Sequence, residues 1–205
     1  MDRLLSVFSV SDFLAFILPG GLVVSAYAWA VSGLPADLSL EQAIAAVAVF
    51  YVAGRFVQSI GSMMDRYVLV PLAARRADET LPADLVSLIE TAMTLTFPRE
   101  VAELQSHQRL QFVRSFLRRS HFSDRAELLN ELHFVFRGFA AAGLLSFPAF
   151  LGAAICGQQL KINVIASSLS LVGTVIAYLR FRRFGERFER QLWVDLIVVT
   201  ATKQA

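Results

Sequence analysis

Three histidines are the side chains of this sequence best suited to acid–base or metal chemistry. His107, His121 and His133 follow one another at spacings of 14 and 12 residues. Because no two lie three or four residues apart, a single helix cannot present two of them to one metal ion. The sequence also has no glycine-rich phosphate loop, no GxSxG motif and no HExxH motif. We therefore predict no catalytic residue, no metal site and no cofactor, and a protein that is not an enzyme.

Charged residues at or within apolar segments are the next chemical feature, because ionisable groups in membrane spans are candidates for function. Asp12 stands at the start of the first apolar segment, and Arg55 lies inside the second. If the two segments form a hairpin, both side chains lie toward the same leaflet and can pair. Alternatively, Arg55 extends its stem toward lipid phosphates while Asp12 caps the start of its helix. A purely structural role and a role in conduction or substrate contact both stay open.

Arginines cluster in two places outside the apolar segments. Contact with anionic lipid headgroups, with solvent or with a protein partner is favoured for them. RNA or a nucleotide messenger is the less favoured alternative, because only Phe112 and Phe116 interleave with the first cluster and both resemble core residues. The predicted basic face consists of Arg109, Arg114, Arg118, Arg119, Arg182, Arg183 and Arg187.

Composition indicates which elements must position these residues. Of the 205 residues, 56% are hydrophobic and only 18% are charged, whereas ordinary soluble domains carry about a quarter charged residues. The mean hydropathy is +0.56. A membrane helix needs about 20 mostly apolar residues. Four segments meet this length, at 13–31, 42–62, 139–157 and 162–179.

The positions of lysine and arginine predict how the spans are oriented. The link between the first two spans has neither residue, and the link between the last two has only Lys161. Residues 65–137, by contrast, contain ten arginines, and the tail after the fourth span adds more. Cytoplasmic loops hold the excess positive charge. We therefore expect a multi-pass protein of the bacterial inner membrane, with both termini and the insert in the cytoplasm.

The first span contains a Pro19-Gly20-Gly21 triplet. A cleaved export signal is disfavoured, because the apolar run is long and its removal would leave three spans. Pro19 has no N–H group, so it frees the carbonyl of Ala15, which a neighbouring helix must then satisfy. The two glycines offer a close approach for another helix or a hinge. These three residues are the predicted hinge and packing site.

The predicted fold class is all-α: a four-span transmembrane helical bundle with a helical cytoplasmic insert and a C-terminal amphipathic helix. The apolar face of the tail either lies in the membrane interface or packs on the insert or on a neighbouring subunit. Cys156 lies in an apolar run, and we expect it to be buried. The predicted parts are a hairpin of spans one and two at 1–64, the insert at 65–137, a hairpin of spans three and four at 138–181, and the amphipathic tail at 182–205.

Three features together resemble a known group of proteins: an acid before an apolar run broken by "PGG", a second span reading "VAGRFVQSIG", and an arginine-rich helical insert. The chain resembles small multi-span membrane proteins encoded beside prokaryotic antiviral systems, including membrane accessory proteins of CRISPR loci. The resemblance covers mainly residues 13–66. It implies an effector that assembles in the inner membrane and perturbs it during infection, and it transfers no functional residue.

Two functions from different classes follow from these features. The first is a non-enzymatic, homo-oligomeric membrane effector that forms or gates a pore. Small residues in the spans favour it, because they let membrane helices pack closely. The second is a structural or regulatory subunit that anchors a soluble protein through the insert and tail. A membrane enzyme ranks third, and a transporter is disfavoured because no inverted repeat is visible. Nucleic acid is not an expected partner.

Overall fold

The structure, a computed structural model, describes residues 10–32, 39–64, 83–97, 101, 106–119 and 124–204. Within these ranges the regular secondary structure is entirely helical. The first span starts as a helical turn at Val10–Asp12 and passes through a π-helix at Phe13–Ile17. The α-helices are α1 (Leu18–Ser32), α2 (Leu40–Met64), α3 (Ala83–Thr96), α4 (Ser106–Arg119), α5 (Asp124–Ile155) and α6 (Leu160–Gln204).

Four helical segments are long and apolar enough to cross a membrane, and they correspond to the four predicted spans. They extend over Phe13–Ser32, Leu40–Met64, Arg125–Ile155 and Leu160–Thr202. Three predicted spans lie wholly within them, whereas the third, predicted at 139–157, ends two residues earlier, at Ile155. The all-α, four-span fold class is confirmed, and the protein is membrane-embedded. The last two helices continue far beyond the hydrophobic segments, because α5 has 32 residues and α6 has 45, whereas a span needs about 20.

The chain forms two compact units. Unit 1 comprises Met1–Val70 and Glu131–Arg182, and unit 2 comprises Pro71–Asn130 and Arg183–Ala205. Both long helices contribute to each unit, since α5 passes from unit 2 into unit 1 and α6 passes back. The predicted division into two hairpins, an insert and a tail stays a prediction, because the units follow contacts within the chain and not the limits of the membrane.

Backbone contact between two glycines holds the first two spans of unit 1 together. A Cβ atom added to Gly20 would overlap the carbonyl oxygen of Phe50 and the amide of Gly54. A Cβ atom on Gly54 would in turn overlap the carbonyl of Phe16. Glycine lets membrane helices approach to this distance. At this level the two spans therefore pack backbone to backbone.

The third and fourth spans meet through a tight turn and a polar contact. Gly157 adopts a left-handed φ of +76° after the end of α5. The amide of Gly157 donates to Ala154 at 3.0 Å, and the amide of Gln158 donates to Ala153 at 3.0 Å. These two bonds form the Schellman motif that closes a helix end. Cys156, which we expected to be buried, is exposed in this turn, because the helix ends at Ile155.

Farther along the same pair of helices, Ser170 donates its hydroxyl to the carbonyl of Gly143 at 2.7 Å. A Cβ atom on Gly143 would overlap the hydroxyl of Thr174. The missing side chain therefore exposes the Gly143 carbonyl to a donor on α6. The hydrogen bond and the close approach fix α5 against α6 at this level.

Unit 2 has a core of its own, in which the C-terminal part of α6 packs on the insert helices. Leu192 and Leu196 are each 0% exposed and repeat at helical spacing. A hydrogen bond of 2.8 Å joins the hydroxyls of Thr96 and Thr200 at its edge. The apolar face of the tail thus packs on the insert. The buried core side chains are Ala92, Met93, Val113, Leu117, Ala126, Phe188, Leu192 and Leu196.

We expect Leu192→Ala to destabilise unit 2 by about 2–5 kcal/mol, because it leaves a cavity in a close-packed core. Leu128→Ala is the matched control, since Leu128 belongs to the same unit and is 55% exposed. The control should change stability by less than about 0.5 kcal/mol. Denaturant unfolding in detergent, followed by tryptophan fluorescence, measures both. Equal effects of the two substitutions would contradict this packing of the tail.

Candidate functional site

The functional site begins with a local defect in the first span. Within Phe13–Ile17 the backbone follows π-helical bonding, and the amide of Leu18 donates to the carbonyl of Phe13, five residues earlier. Pro19 is next and has no N–H, so it cannot serve Ala15, the acceptor four residues before it. The carbonyl of Ala15 therefore lacks its ordinary helical donor. In a membrane, such a group must find a partner in another helix.

Gln58 of α2 is that partner. Its Nε2 donates to the carbonyl of Ala15 at 2.9 Å and to the carbonyl of Phe134 at 3.1 Å. Its Oε1 accepts from Nε of Arg137 at 3.2 Å. The side chain is only 4% exposed. One amide thus joins the first span, α2 and α5, and all three of these bonds lie inside unit 1.

Gly138 makes room for this amide. A Cβ atom on Gly138 would overlap Nε2 of Gln58 and would stand 3.2 Å from the carbonyl oxygen of Ala15. Gly138 is also four residues beyond Phe134, so its missing side chain leaves the Phe134 carbonyl open to a second donor. We name this group, Gln58 and Arg137 with the carbonyls of Ala15 and Phe134, the Gln58 junction. It depends on the absence of a side chain at Gly138.

Two arginines stand over one pair of aromatic rings beside the Gln58 junction. The guanidinium of Arg55 lies 5.0 Å from the centre of the Phe16 ring. The guanidinium of Arg137 lies 4.7 Å from the centre of the Phe134 ring. The two rings pack edge to face, with centroids 5.6 Å apart. Attraction between cations and ring faces holds both charges at this place.

These groups line a cleft of about 380 Å³ in unit 1, which we name the arginine cleft. Arg55, Ser59 and Ser62 are exposed along one side of α2, whereas Gln58 is buried. The polar side chains that line the cleft are Arg55, Gln58, Ser59, Ser62 and Arg137. The apolar side chains that line it are Phe16, Val52, Phe56 and Phe134.

Arg55 of the arginine cleft belongs to a helix that is long and apolar enough to cross a membrane. It lies nine residues before the end of α2 at Met64. A charge within a membrane span is costly unless its surroundings neutralise it. The arrangement can therefore hold an anionic or strongly polar group.

The structure describes contacts of Arg55 but none between Arg55 and Asp12, the predicted intramembrane pair. The described contact of Arg55 is with Phe16, while Asp12 makes no side-chain hydrogen bond that caps the π-helix. The pairing of Asp12 with Arg55 stays a prediction. Pro19 and Gly20 are buried, and Gly21 is half-buried, with Phe50 3.1 Å from its would-be Cβ. Whether this segment moves as a hinge also stays a prediction.

Of the three histidines, only His133 has a side chain that the structure describes. Nδ1 of His133 is 3.1 Å from the carbonyl of Phe181, so this nitrogen carries the proton. The two rings also stack, with centroids 4.3 Å apart. His121 and the side chain of His107 lie outside the described residues. Among the described residues, no group of three potential metal ligands comes together.

The predicted basic face is divided among several environments. Arg114 donates to Asn130 at 3.1 Å, and its guanidinium lies 5.4 Å from the ring centre of Phe188. Arg187 lines a separate cleft in unit 2 with Arg125 and Arg190. Arg109 and Arg182 are half-buried, Arg183 is exposed, and the side chains of Arg118 and Arg119 lie outside the description.

Sequence reasoning anticipated the free Ala15 carbonyl but did not identify its donor. Gln58 belongs to the "VAGRFVQSIG" stretch of the second span and Arg137 is one of the ten arginines of residues 65–137, but no contact was predicted for either. Only two weak features of the sequence indicate that Gln58 and Arg137 meet. Gly138 follows Arg137 directly, and Gln58 lies four residues after Gly54, on the same side of α2.

Comparisons with protein-family models, known proteins and solved structures return no match for this chain. The fold and the Gln58 junction define the protein as an all-α, membrane-embedded helical bundle.

A double-mutant cycle on Pro19 and Gln58 tests the origin of the Gln58 junction. Gln58→Leu alone should cost about 1–3 kcal/mol, because it leaves a buried carbonyl without a donor. In a Pro19→Ala background, the restored N–H can serve Ala15, so the same change should cost about 1 kcal/mol less. Denaturant unfolding of the four proteins in detergent gives the coupling free energy.

Ser59→Ala is the control for this cycle, because Ser59 is exposed and donates only to the carbonyl of Arg55, at 3.1 Å. Its effect should add to that of Pro19→Ala. Additivity of Pro19→Ala and Gln58→Leu within about 0.5 kcal/mol would show that the proline does not create the need for Gln58.

Gly20 and Gly21 should differ sharply in their tolerance of a methyl group. Gly20→Ala would place a Cβ atom on backbone atoms of α2, whereas Gly21→Ala would meet only the ring of Phe50, at 3.1 Å. The ring can turn and the backbone cannot. We expect a large fall in melting temperature for Gly20→Ala and a small one for Gly21→Ala. Equal falls would contradict the backbone contact.

Proposed function

We propose that this protein is a non-enzymatic effector of the bacterial inner membrane that self-assembles and forms or gates a pore. The antiviral setting implied by its resemblance to membrane proteins of prokaryotic defence loci belongs to the same proposal. The orientation with both termini and the insert in the cytoplasm is part of it as well, and it rests on the distribution of arginine.

The observation that carries the proposal is the contrast between two sets of glycines in the spans. Gly20, Gly54 and Gly143 each have backbone or side-chain atoms of a neighbouring helix where a Cβ would stand. Gly152 and Gly173 have none within 4 Å in the described chain. Small residues let a second membrane helix approach closely. Gly152 in α5 and Gly173 in α6 are therefore suited to contact another copy.

Packing within one chain favours a passage between copies rather than through a single bundle. The first two spans touch through their backbones at Gly20 and Gly54, and α5 and α6 meet at Gly143 and Ser170. Contacts of this kind leave no room for water between the two helices of either pair. Meanwhile the outer surfaces of α2 and α6 carry many exposed large apolar side chains, which lipid or another subunit can cover.

Purified protein reconstituted into liposomes tests the proposal. We expect release of a trapped fluorescent dye, together with a particle several times the mass of the 22.7 kDa chain in detergent. Gly173→Leu and Gly152→Leu should abolish both, because a branched side chain blocks the approach of a second helix. Each variant should keep the melting temperature of its monomer, since its Cβ stands in open space.

Val172→Leu is the matched control, because Val172 precedes Gly173 on α6 and is 54% exposed. It should leave assembly and leakage unchanged. A monomeric wild-type protein that leaves liposomes sealed would end the proposal. Unchanged assembly in both glycine variants would show that Gly152 and Gly173 do not contact another copy.

An anchoring subunit for a soluble protein is the second candidate, and the surface of unit 2 favours it. Leu95, Phe112 and Val198 are 56%, 49% and 55% exposed, although unit 2 has a packed core of its own. Exposed apolar side chains of this size suit a protein contact. The leakage assay separates the two functions, because an anchor alone leaves liposomes sealed.

A further inference from the structure

The arginine cleft combines features that a phospholipid also combines. Along one side of α2, Val52 and Phe56 are 55% and 68% exposed. Arg55 lies beside them, and the hydroxyls of Ser59 and Ser62 come next toward the end of the helix. Polarity therefore rises from the middle of the span toward its end. A phospholipid has the same order, from acyl chain to phosphate to hydroxylated headgroup.

We propose that the arginine cleft binds one anionic phospholipid, with its phosphate at Arg55 and Arg137 and an acyl chain along Val52 and Phe56. Two guanidinium groups supply positive charge in a fixed, planar geometry that matches phosphate oxygens. The Phe16 and Phe134 rings hold these cations in place, at 5.0 Å and 4.7 Å. The proposal is independent of self-assembly, because every group that it uses belongs to one chain.

The two guanidinium groups of the arginine cleft favour an anionic headgroup over a zwitterionic one. A choline headgroup would place a quaternary ammonium beside Arg55 and Arg137, and like charges at this distance repel each other. Phosphatidylglycerol carries a net negative charge and free hydroxyls, which Ser62 and its neighbours can bind.

The apolar wall of the arginine cleft favours a lipid over a soluble phosphate. Val52 and Phe56 form this wall, and a free phosphate has no group that can bury against it. A lipid phosphate drawn to Arg55 offsets the cost of a charge in the span. A long arginine stem can meet it partway by extending toward the interface.

The test measures the melting temperature of the purified full-length protein in a nonionic detergent during titration with lipid. A ligand that binds only the folded protein raises this temperature with concentration until the site is full. We expect phosphatidylglycerol to raise it saturably. Phosphatidylcholine and inorganic phosphate should leave it unchanged. If either of these gives the same rise as phosphatidylglycerol, the assignment to an anionic lipid is overturned.

Arg55→Gln is the main variant and Arg180→Gln its matched control. Arg180 is also exposed, lies on α6 in the same unit and does not line the arginine cleft. Arg55→Gln should require about tenfold more phosphatidylglycerol for the same shift, since a charge-assisted contact is lost. Arg180→Gln should titrate like the wild type. Equal weakening by both would mean that only net surface charge attracts the lipid, which contradicts the site.

A second pair of variants tests the lipid site independently if Arg55→Gln fails to fold. Ser59→Leu fills the arginine cleft without removing a charge, and Ser168→Leu makes the same change at an exposed serine of α6. Both hydroxyls donate only to a carbonyl four residues earlier, at 3.1 Å and 2.9 Å. Ser59→Leu should abolish the shift with phosphatidylglycerol, and Ser168→Leu should preserve it. Retention of the full shift in Ser59→Leu would overturn the proposal.

Discussion

The packing of the membrane unit depends on one hydrogen bond between two helices. Pro19 removes the donor that the carbonyl of Ala15 would have in a regular α-helix, and lipid cannot supply another. The Nε2 group of Gln58 supplies it at 2.9 Å. Because an unsatisfied carbonyl in hydrocarbon is costly, this bond fixes both the rotation and the height of α2 against the first span. The same amide then binds Phe134 and Arg137, so the position of α5 follows from it.

Glycines make this arrangement sterically feasible. Gly20 and Gly54 bring the first two spans to backbone contact, and Gly138 leaves space for the Gln58 amide. Lipid tails are as apolar as leucine, so no hydrophobic force drives these helices together. Close contact and interhelical hydrogen bonds must do so instead. The polar Gln58 junction and the glycine contacts therefore act together to hold these helices. The rings of Phe16 and Phe134 hold Arg55, which is exposed, and Arg137, which is half-buried, beside the junction.

Unit 2 is organised by a different force. Its core is an apolar cluster around Leu192 and Leu196, with the Thr96–Thr200 hydroxyl pair at its margin. Burial of apolar surface away from water is the main stabilising contribution in such a core. One helix, α6, therefore serves two kinds of packing: small and polar contacts at Ser170 in unit 1, and a leucine face in unit 2. A single helix of 45 residues can therefore form a membrane span in its first part and an amphipathic tail in its second.

The sequence by itself determined the properties that follow from composition and local covalent structure. These are the four spans, the all-α class and the missing α-helical donor for the carbonyl of Ala15, because proline lacks an N–H wherever it stands. Only the tertiary structure decided which residues of different helices contact one another. Gln58 lies 43 residues from Ala15 and 76 from Phe134, and Arg55 stands over Phe16. Such partners depend on how each helix is rotated about its axis. A membrane helix is apolar on nearly every side, so its hydropathy does not specify which face turns inward. The amphipathic tail differs, because its apolar face could be recognised from the sequence and is the face that packs in unit 2.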